Sequence, residues 1–313
     1  MLTVGLIGVG GISGAHIPAW DGMEDAKLVA LCDIRPEQME KYPDKHHYER
    51  FDDMLDQESL DILDICLPTY LHAEYAEKAM QRGIHVLCEK PVSLNTVDIP
   101  RLTETAAKHQ VKFMVAQVLR FWPEYERIKD LYENRQYGRL LSGSMSRLGC
   151  YPAWSWDGWM MDERRSGLVP FDLHIHDLDF LVYAFGTPKN ATRFRAKEKT
   201  QDYVSVVYEF DGFFVTADAS WYASPVPFRM GFRFQFEEAV AVYEDNRLTI
   251  YERNGRILSA GEDAGESDTL QLPKSDAYAN EIRYFADAVR NNTPIDRVTP
   301  ESLTTVLSLL NAL

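Results

Sequence analysis

The chain has 313 residues, enough for two domains, and 45% hydrophobic with 26% charged residues is the composition of a folded globular protein. Its 48 acidic and 33 basic residues leave a net charge of −15, which argues against nucleic acid as a partner. No apolar run approaches membrane-spanning length, and the opening MLTVGLIGVGG, with no basic residue ahead of it, reads as a first strand and not as a secretory signal. Apolar runs at 2–7, 27–32, 61–66, 84–88 and 112–117 are short and rich in Val, Ile and Leu, as buried strands are. Helical patterns separate them, among them 71–82, closed by Gly83, and one through His109 that Asn95 is expected to cap. Such alternation predicts βαβ units and a doubly wound parallel sheet covered on both faces. Cys32, Cys66, Cys88 and Cys150 form no CxxC pair, read as small packing residues, and fit a reducing cytoplasm.

After about residue 137 the rhythm changes. Runs at 140–148, 190–197, 202–210, 213–222, 228–237, 239–244 and 247–252 predict strands, several joined by hairpin signals: Asp211-Gly212, Asp245-Asn246 and Asn254-Gly255. Helices are expected around 169–185, 276–291 and 300–313, the last opened by Thr299 as its cap and Pro300 in its first turn. The fold class is therefore α/β: a Rossmann domain over 1–122, then an α+β domain over 123–313 with a mostly antiparallel sheet. The final helix is free, on this reading, to pack back on the first domain.

Strand 2–7 runs into Gly8-Val9-Gly10-Gly11-Ile12-Ser13-Gly14, with Ser13 at the place of the third small residue of a dinucleotide fingerprint. Gly8 permits the tight turn, Gly10 lets the backbone approach a pyrophosphate, and the following helix offers its N–H groups. The strand before, the helix after and Asp33 at the end of the next strand supply the context that a lone glycine triplet lacks. Asp33 is placed to accept hydrogen bonds from the adenosine ribose, which predicts NAD over NADP. Arg35 tempers this, as either a partner for a 2′-phosphate or an exposed side chain near the adenine.

Ligands in open α/β sheets bind beyond the carboxyl ends of the strands, where Pro68-Thr69-Tyr70-Leu71-His72 and Cys88-Glu89-Lys90-Pro91 stand. Lys90 is placed there to hydrogen-bond a reacting oxygen. Farther on, DLHIHDLD (172–179) concentrates titratable groups. In a strand His174 and His176 share a face, a usable spacing for two metal ligands; in a helix Asp172, His176 and Asp179 do. The aromatic segment 151–165, with Tyr151, Trp154, Trp156 and Trp159, suits either a sugar ring or a contact between subunits.

Taken together, GLIGVGGISGAHIPA, PTYLHAEYAEKAM, GIHVLCEKPVSL and SGLVPFDLHIHDLDFL resemble the successive signatures of the glucose–fructose oxidoreductase/inositol dehydrogenase (Gfo/Idh/MocA) family. The order and spacing match from residue 3 to about residue 186. The resemblance implies NAD(P)-dependent oxidation or reduction of a sugar, cyclitol or related polyol without metal, and a homodimer or homotetramer formed through the C-terminal sheet. It puts the catalytic lysine on Lys90 and the D-x-x-x-H pair on Asp172 and His176, with a further aspartate at Asp179. The helical reading of DLHIHDLD then prevails, with His176 and Lys90 as acid/base pair and Asp172 orienting substrate or imidazole. Expected cofactor contacts are Gly8, Gly10, Gly11, Ile12, Asp33, Arg35, Leu67, Pro68, His72, Glu89, Lys90 and Gln117. Arg120, Trp159, Asp172 and His176 are the expected substrate contacts. This chain departs from the family pattern at Thr69, where Asn is usual, at His174, where glycine is common, and at Ser166-Gly167-Leu168, which is thinner than the usual glycine run. Asp33→Ala is expected to weaken binding of NAD far more than of NADP; an unchanged preference in titrations with both would contradict this account of cofactor choice.

Overall fold

The computed structural model describes residues 1–260 and 276–313. Two compact units divide them, the first comprising 1–118, 164–166 and 276–307, the second most of the remainder. Chain from 276 to 307 returns to the first unit.

In the first unit β1 (Leu2–Ile7), α1 (Ser13–Asp21), β2 (Ala26–Cys32), β3 (His46–Tyr48), α2 (Phe51–Gln57), β4 (Ile62–Ile65), α3 (Thr69–Gln81), β5 (His85–Glu89), α4 (Asp98–His109) and β6 (Phe113–Ala116) follow one another. The strands pair in parallel in the order β3-β2-β1-β4-β5-β6. All four residues of β4 are buried, as expected of a strand covered on both faces. The order reverses between β1 and β4, which opens a crevice at the carboxyl ends of the strands. Two local expectations change. The short strand β3, with no apolar run, was not anticipated. Asn95 does not cap α4: Val97 precedes the helix, and Asn95 contributes its carbonyl oxygen to the Asp98 N–H.

The second unit holds α5 (Pro123–Glu133), β7 (Leu140–Cys150), the start of the single turn α6 (Glu163–Ser166), and α7 (Ile175–Phe185), which a π-helical turn over Pro170–His174 leads into. Then come β8 (Asn190–Glu198), β9 (Gln201–Glu209), β10 (Phe214–Tyr222), β11 (Arg229–Phe236), β12 (Ala239–Glu244), β13 (Arg247–Glu252) and β14 (Ile257–Ala260). Their order is β14-β13-β12-β11-β7-β10-β9-β8, antiparallel throughout except for β7 beside β10. Alternation with period two separates the faces. Val204, Val206, Tyr208, Val215, Ala217, Phe232 and Phe234 are buried, and Tyr125 of α5 and Phe180 of α7 pack edge to face above them. Tyr203, Ser205, Val207, Thr216 and Asp218 lie on the other, half-exposed face. Asp245 and Asn246 both take positive φ in the β12–β13 turn, as a two-residue hairpin requires.

The chain ends in α8 (Ala277–Asn291) and α9 (Pro300–Leu310). Asp276 caps α8 through the Tyr278 N–H, and Thr299 Oγ1 accepts from the Ser302 N–H at the start of α9. α8 packs on α1, burying Ile282 and Phe285, and its Arg283 and Arg290 pair with Asp25.

Within the second unit, Arg120 grips Asp179 of α7 with two bonds, Nε–Oδ2 at 2.9 Å and Nη2–Oδ1 at 2.6 Å, and each side chain is only 1% exposed. Removing one partner strands a buried charge. Asp179→Ala is therefore expected to lower the unfolding free energy by about 3–5 kcal/mol in urea titration, and the double replacement Arg120→Met/Asp179→Leu by much less. Equal losses in single and double variants would contradict this.

Candidate active site

The glycine turn follows β1 directly. Gly8 has φ +92°, and a Cβ there would stand 2.6 Å from the Cys66 carbonyl oxygen, so only glycine fits. At Gly10 and Gly11 a Cβ would meet nothing within 4 Å. The protein's own packing therefore does not demand these two glycines; open space lies over them at the start of α1, as a bound pyrophosphate needs. Ser13 Oγ donates to the Gly10 carbonyl oxygen at 2.7 Å and closes the turn in place of a third glycine. At the end of β2, Asp33 Oδ2 accepts the Val9 N–H at 2.8 Å, and Oδ1 accepts the Arg35 N–H at 2.9 Å with Arg35 Nε at 3.3 Å. Asp33 is thus fixed beside the turn, at the end of the second strand, where this fold carries the acidic residue that meets a ribose diol, with Arg35 turned toward it. The residues present fit a dinucleotide.

Lys90 sits half-buried just past β5. Two buried histidines hold the residues on either side of it. His16, on α1, directs Nδ1 to Asp64 Oδ2 of β4 at 2.8 Å and Nε2 to Glu89 Oε1 at 3.1 Å. Glu89 Oε2 accepts the Lys90 N–H at 3.0 Å, and Trp20 Nε1 donates to Asp64 Oδ2 at 2.7 Å. Burial alone would depress the His16 pKa, but the Asp64 carboxylate overrides it and holds the ring well above its usual range. His72, on α3, lies 2.7 Å from the Pro91 carbonyl oxygen through Nδ1 and 2.6 Å from that of Leu67 through Nε2. Burial pushes its pKa down, and the two carbonyls oppose this less strongly. His16, Asp64 and Cys66 also bring donor atoms within 4.8 Å of one another, and the 2.8 Å contact between His16 and Asp64 has the length of a charged hydrogen bond.

The π-helical turn and α7 sort DLHIHDLD by face. Asp172 and His176 remain half-exposed on one side. His174 is buried, with Nε2 2.7 Å from Tyr208 Oη, and burial lowers its pKa to about 3. It is a neutral packing residue under the sheet, which answers the HxH spacing in the sequence. Asp177 faces Arg147 at 3.1 Å, burial raising its pKa against the pull of that guanidinium. Gly167, at φ +74°, would place a Cβ 2.4 Å from Phe171, so the single glycine kept from the family's run is the one sterically required.

Gln117 is buried at the end of β6 and Arg120 is engaged by Asp179. Leu67 and Pro68 are half-exposed before α3, Trp159 is half-buried, and Trp154 is 72% exposed. Tyr151 lines a cavity of 410 Å³ in the second unit with Leu168, Lys197, Asp202 and Trp221.

Sequence reasoning missed His16, Asp64 and Glu281. Asp64 left a signal, as a carboxylate inside the otherwise apolar run DILDIC. Glu281 sits on the buried side of α8, four residues before Phe285, and is sealed from solvent. Burial and then the neighbouring Glu89 charge raise its pKa well above the usual 4.5.

Two family models match the chain: "Oxidoreductase family, NAD-binding Rossmann fold" over residues 2–117, and "GFO/IDH/MocA C-terminal domain" over residues 125–258. An uncharacterized oxidoreductase, YrbE of Bacillus subtilis, is 24% identical over 93% of this chain and 87% of its own length. The inositol 2-dehydrogenase of Rhizobium meliloti is 24% identical over 93% of this chain and 89% of its own. The chain spans about half the length of some other curated dehydrogenases it matches. Among solved structures, a levoglucosan dehydrogenase in complex with NADH and levoglucosan superposes with TM-score 0.83 at 18% identity, over 99% of this chain and 95% of that one.

The pH dependence of stability follows from Glu281. Its folded pKa is raised, so the folded chain keeps a proton that the unfolded chain releases above 4.5, and stability declines as pH climbs from there through the folded value. Glu281→Gln is expected to flatten this decline, with a smaller difference in urea midpoint between about pH 5 and about pH 8 than the parent. Identical slopes would show that the carboxyl is not held neutral.

Proposed function

This chain belongs to the Gfo/Idh/MocA family of NAD-binding oxidoreductases, and from that premise we propose that it transfers a hydride between the nicotinamide and a carbinol carbon of a sugar, cyclitol or related polyol. The observation that carries the reading is the position of Lys90. It stands beyond the carboxyl end of β5, in the crevice region of a parallel sheet, with its neighbours on both sides held by buried histidines. The half-exposed pair Asp172 and His176 supports it from the second unit.

In the oxidation direction the substrate hydroxyl gives its proton to His176 while Lys90 Nζ hydrogen-bonds the same oxygen, and Asp172 orients the substrate or the imidazole. When bound, the nicotinamide supplies the acceptor for the hydride that leaves the carbinol carbon. Alcohol and oxidised cofactor thus become ketone, reduced cofactor and one proton. Asp33 favours NAD, and Arg35, held toward Asp33, leaves NADP as the secondary cofactor. The inositol and levoglucosan dehydrogenases among the similar proteins support a cyclitol or sugar as substrate.

We also propose that copies pair through the half-exposed face of the eight-stranded sheet, where Phe194 and Phe214 are 62% and 47% exposed. The chain works in the cytoplasm on this reading, which its four free cysteines support. Among the described residues, no helix is long and apolar enough to cross a membrane.

The test is a screen with NAD against cyclitols, aldoses and sugar phosphates, following NADH absorbance. On the best substrate, Lys90→Ala and His176→Ala are each expected to lower turnover by about 10²–10⁴-fold. Both variants staying within a few-fold of the parent would overturn the assignment.

A further inference from the structure

Resting on the dehydrogenase reading above, we propose that His16 is a positioning residue for Lys90: its imidazole bridges Asp64 and Glu89 and so fixes the strand end that carries the lysine to the helix that receives the cofactor. The bridge runs through three elements of the first unit. α1 begins at the glycine turn, and His16 lies one turn in, completely buried. From there one ring nitrogen reaches β4 and the other the last residue of β5. Glu89 passes the constraint on, because its second oxygen accepts the Lys90 N–H.

The hydrogen-bond balance dictates the charge state. Both ring nitrogens face carboxylate oxygens, which only accept, so both bonds form only when both nitrogens carry protons. The titratable groups around the ring are Asp64 and Cys66 at β4, Glu89 of β5, and Tyr278 and Glu281 of α8. Two carboxylates in contact with the ring favour its cationic form, and Glu281, kept neutral by burial and by Glu89, adds no third charge. Glu89 then remains an anion in a dry setting, its own pKa held down against burial by the His16 bond. A carboxylate with both oxygens engaged cannot swing, and neither can the peptide it grips.

Because α1 also presents its first turn to the dinucleotide, the cofactor seat and Lys90 share one rigid link. A loosened link misplaces the lysine relative to a bound cofactor without removing any group that touches the cofactor. The expected signature is a loss in kcat at nearly unchanged cofactor affinity, since misplacement by about 1 Å is able to cost about 10²-fold in rate.

Two variants and one spectrum test this. His16→Phe fills the cavity and removes both bonds. Asp64→Asn keeps the shape but offers His16 a neutral amide in place of the carboxylate. Each is expected to lower kcat on the substrate found in the screen by about 10²-fold, with NADH affinity by fluorescence titration changed only a few-fold. In the parent protein, the nitrogen chemical shifts of His16 should be those of a ring protonated at both nitrogens through neutral pH. A neutral tautomer at that pH would overturn the proposal even if neither variant folds. Folded variants with parental kcat and only a lowered melting temperature would assign His16 a purely structural role and overturn it too. A parent chain that oxidises nothing in the screen defeats the dehydrogenase reading, whereas an active parent with indifferent variants defeats this proposal alone.

Discussion

Everything at the end of β5 depends on side chains that reach it from neighbouring helices. Glu89 and Pro91 flank Lys90, and each is anchored by a buried imidazole, His16 from α1 and His72 from α3. A lysine on a long flexible stem has little catalytic value unless its backbone is stationary, because side-chain freedom adds to any freedom of the strand end. The parallel sheet supplies the coarse placement and the two histidines the fine one. The cost is a concentration of charge in a dry interior: Asp64, Glu89 and His16 lie within hydrogen-bond reach, and Glu281 is sealed beside them. Such a cluster persists only when its charges are matched and its hydrogen bonds completed. His16 does most of that matching.

The second unit solves a different problem. Its sheet buries one face under α5 and α7 and leaves the other half-exposed, so α7 must present polar residues on one side while sinking its remainder into the core. The π-helical turn before α7 helps this sorting. His174, Asp177 and Asp179 turn inward to Tyr208, Arg147 and Arg120, leaving Asp172 and His176 on the accessible side. Wider turns of this kind occur often where a helix carries functional residues. Helical spacing alone does not show which of these side chains sink into the core and which stay half-exposed.

Much of this was legible in the sequence, for physical reasons that differ by region. The Rossmann strands announce themselves because strands buried on both faces must be apolar throughout, and the antiparallel hairpins because their turns need Gly, Asp or Asn. β3 stayed hidden since an edge strand of three residues, His46–Tyr48, needs no apolar run. The positions of the glycine turn, Asp33 and Lys90 at strand ends were readable because local context singles them out. The buried contacts of His16 and Glu281 were not. These residues meet Glu89 only after the sheet and helices have assembled, across 73 positions of sequence in the case of His16. Arg120 hid a partner in the same way: the buried carboxylate that it grips, Asp179, lies 59 positions away.

The central claim is that hydrogen moves as hydride from substrate carbon to nicotinamide. It is tested most directly by following the label, with the preferred sugar or cyclitol deuterated at its carbinol positions and the reduced cofactor analysed by proton NMR. The account predicts one deuterium at nicotinamide C4 for each ketone formed, on one face of the ring, with none exchanged into water. Ketone formed with its deuterium lost to solvent, or substrate consumed with no label on the cofactor, would contradict it.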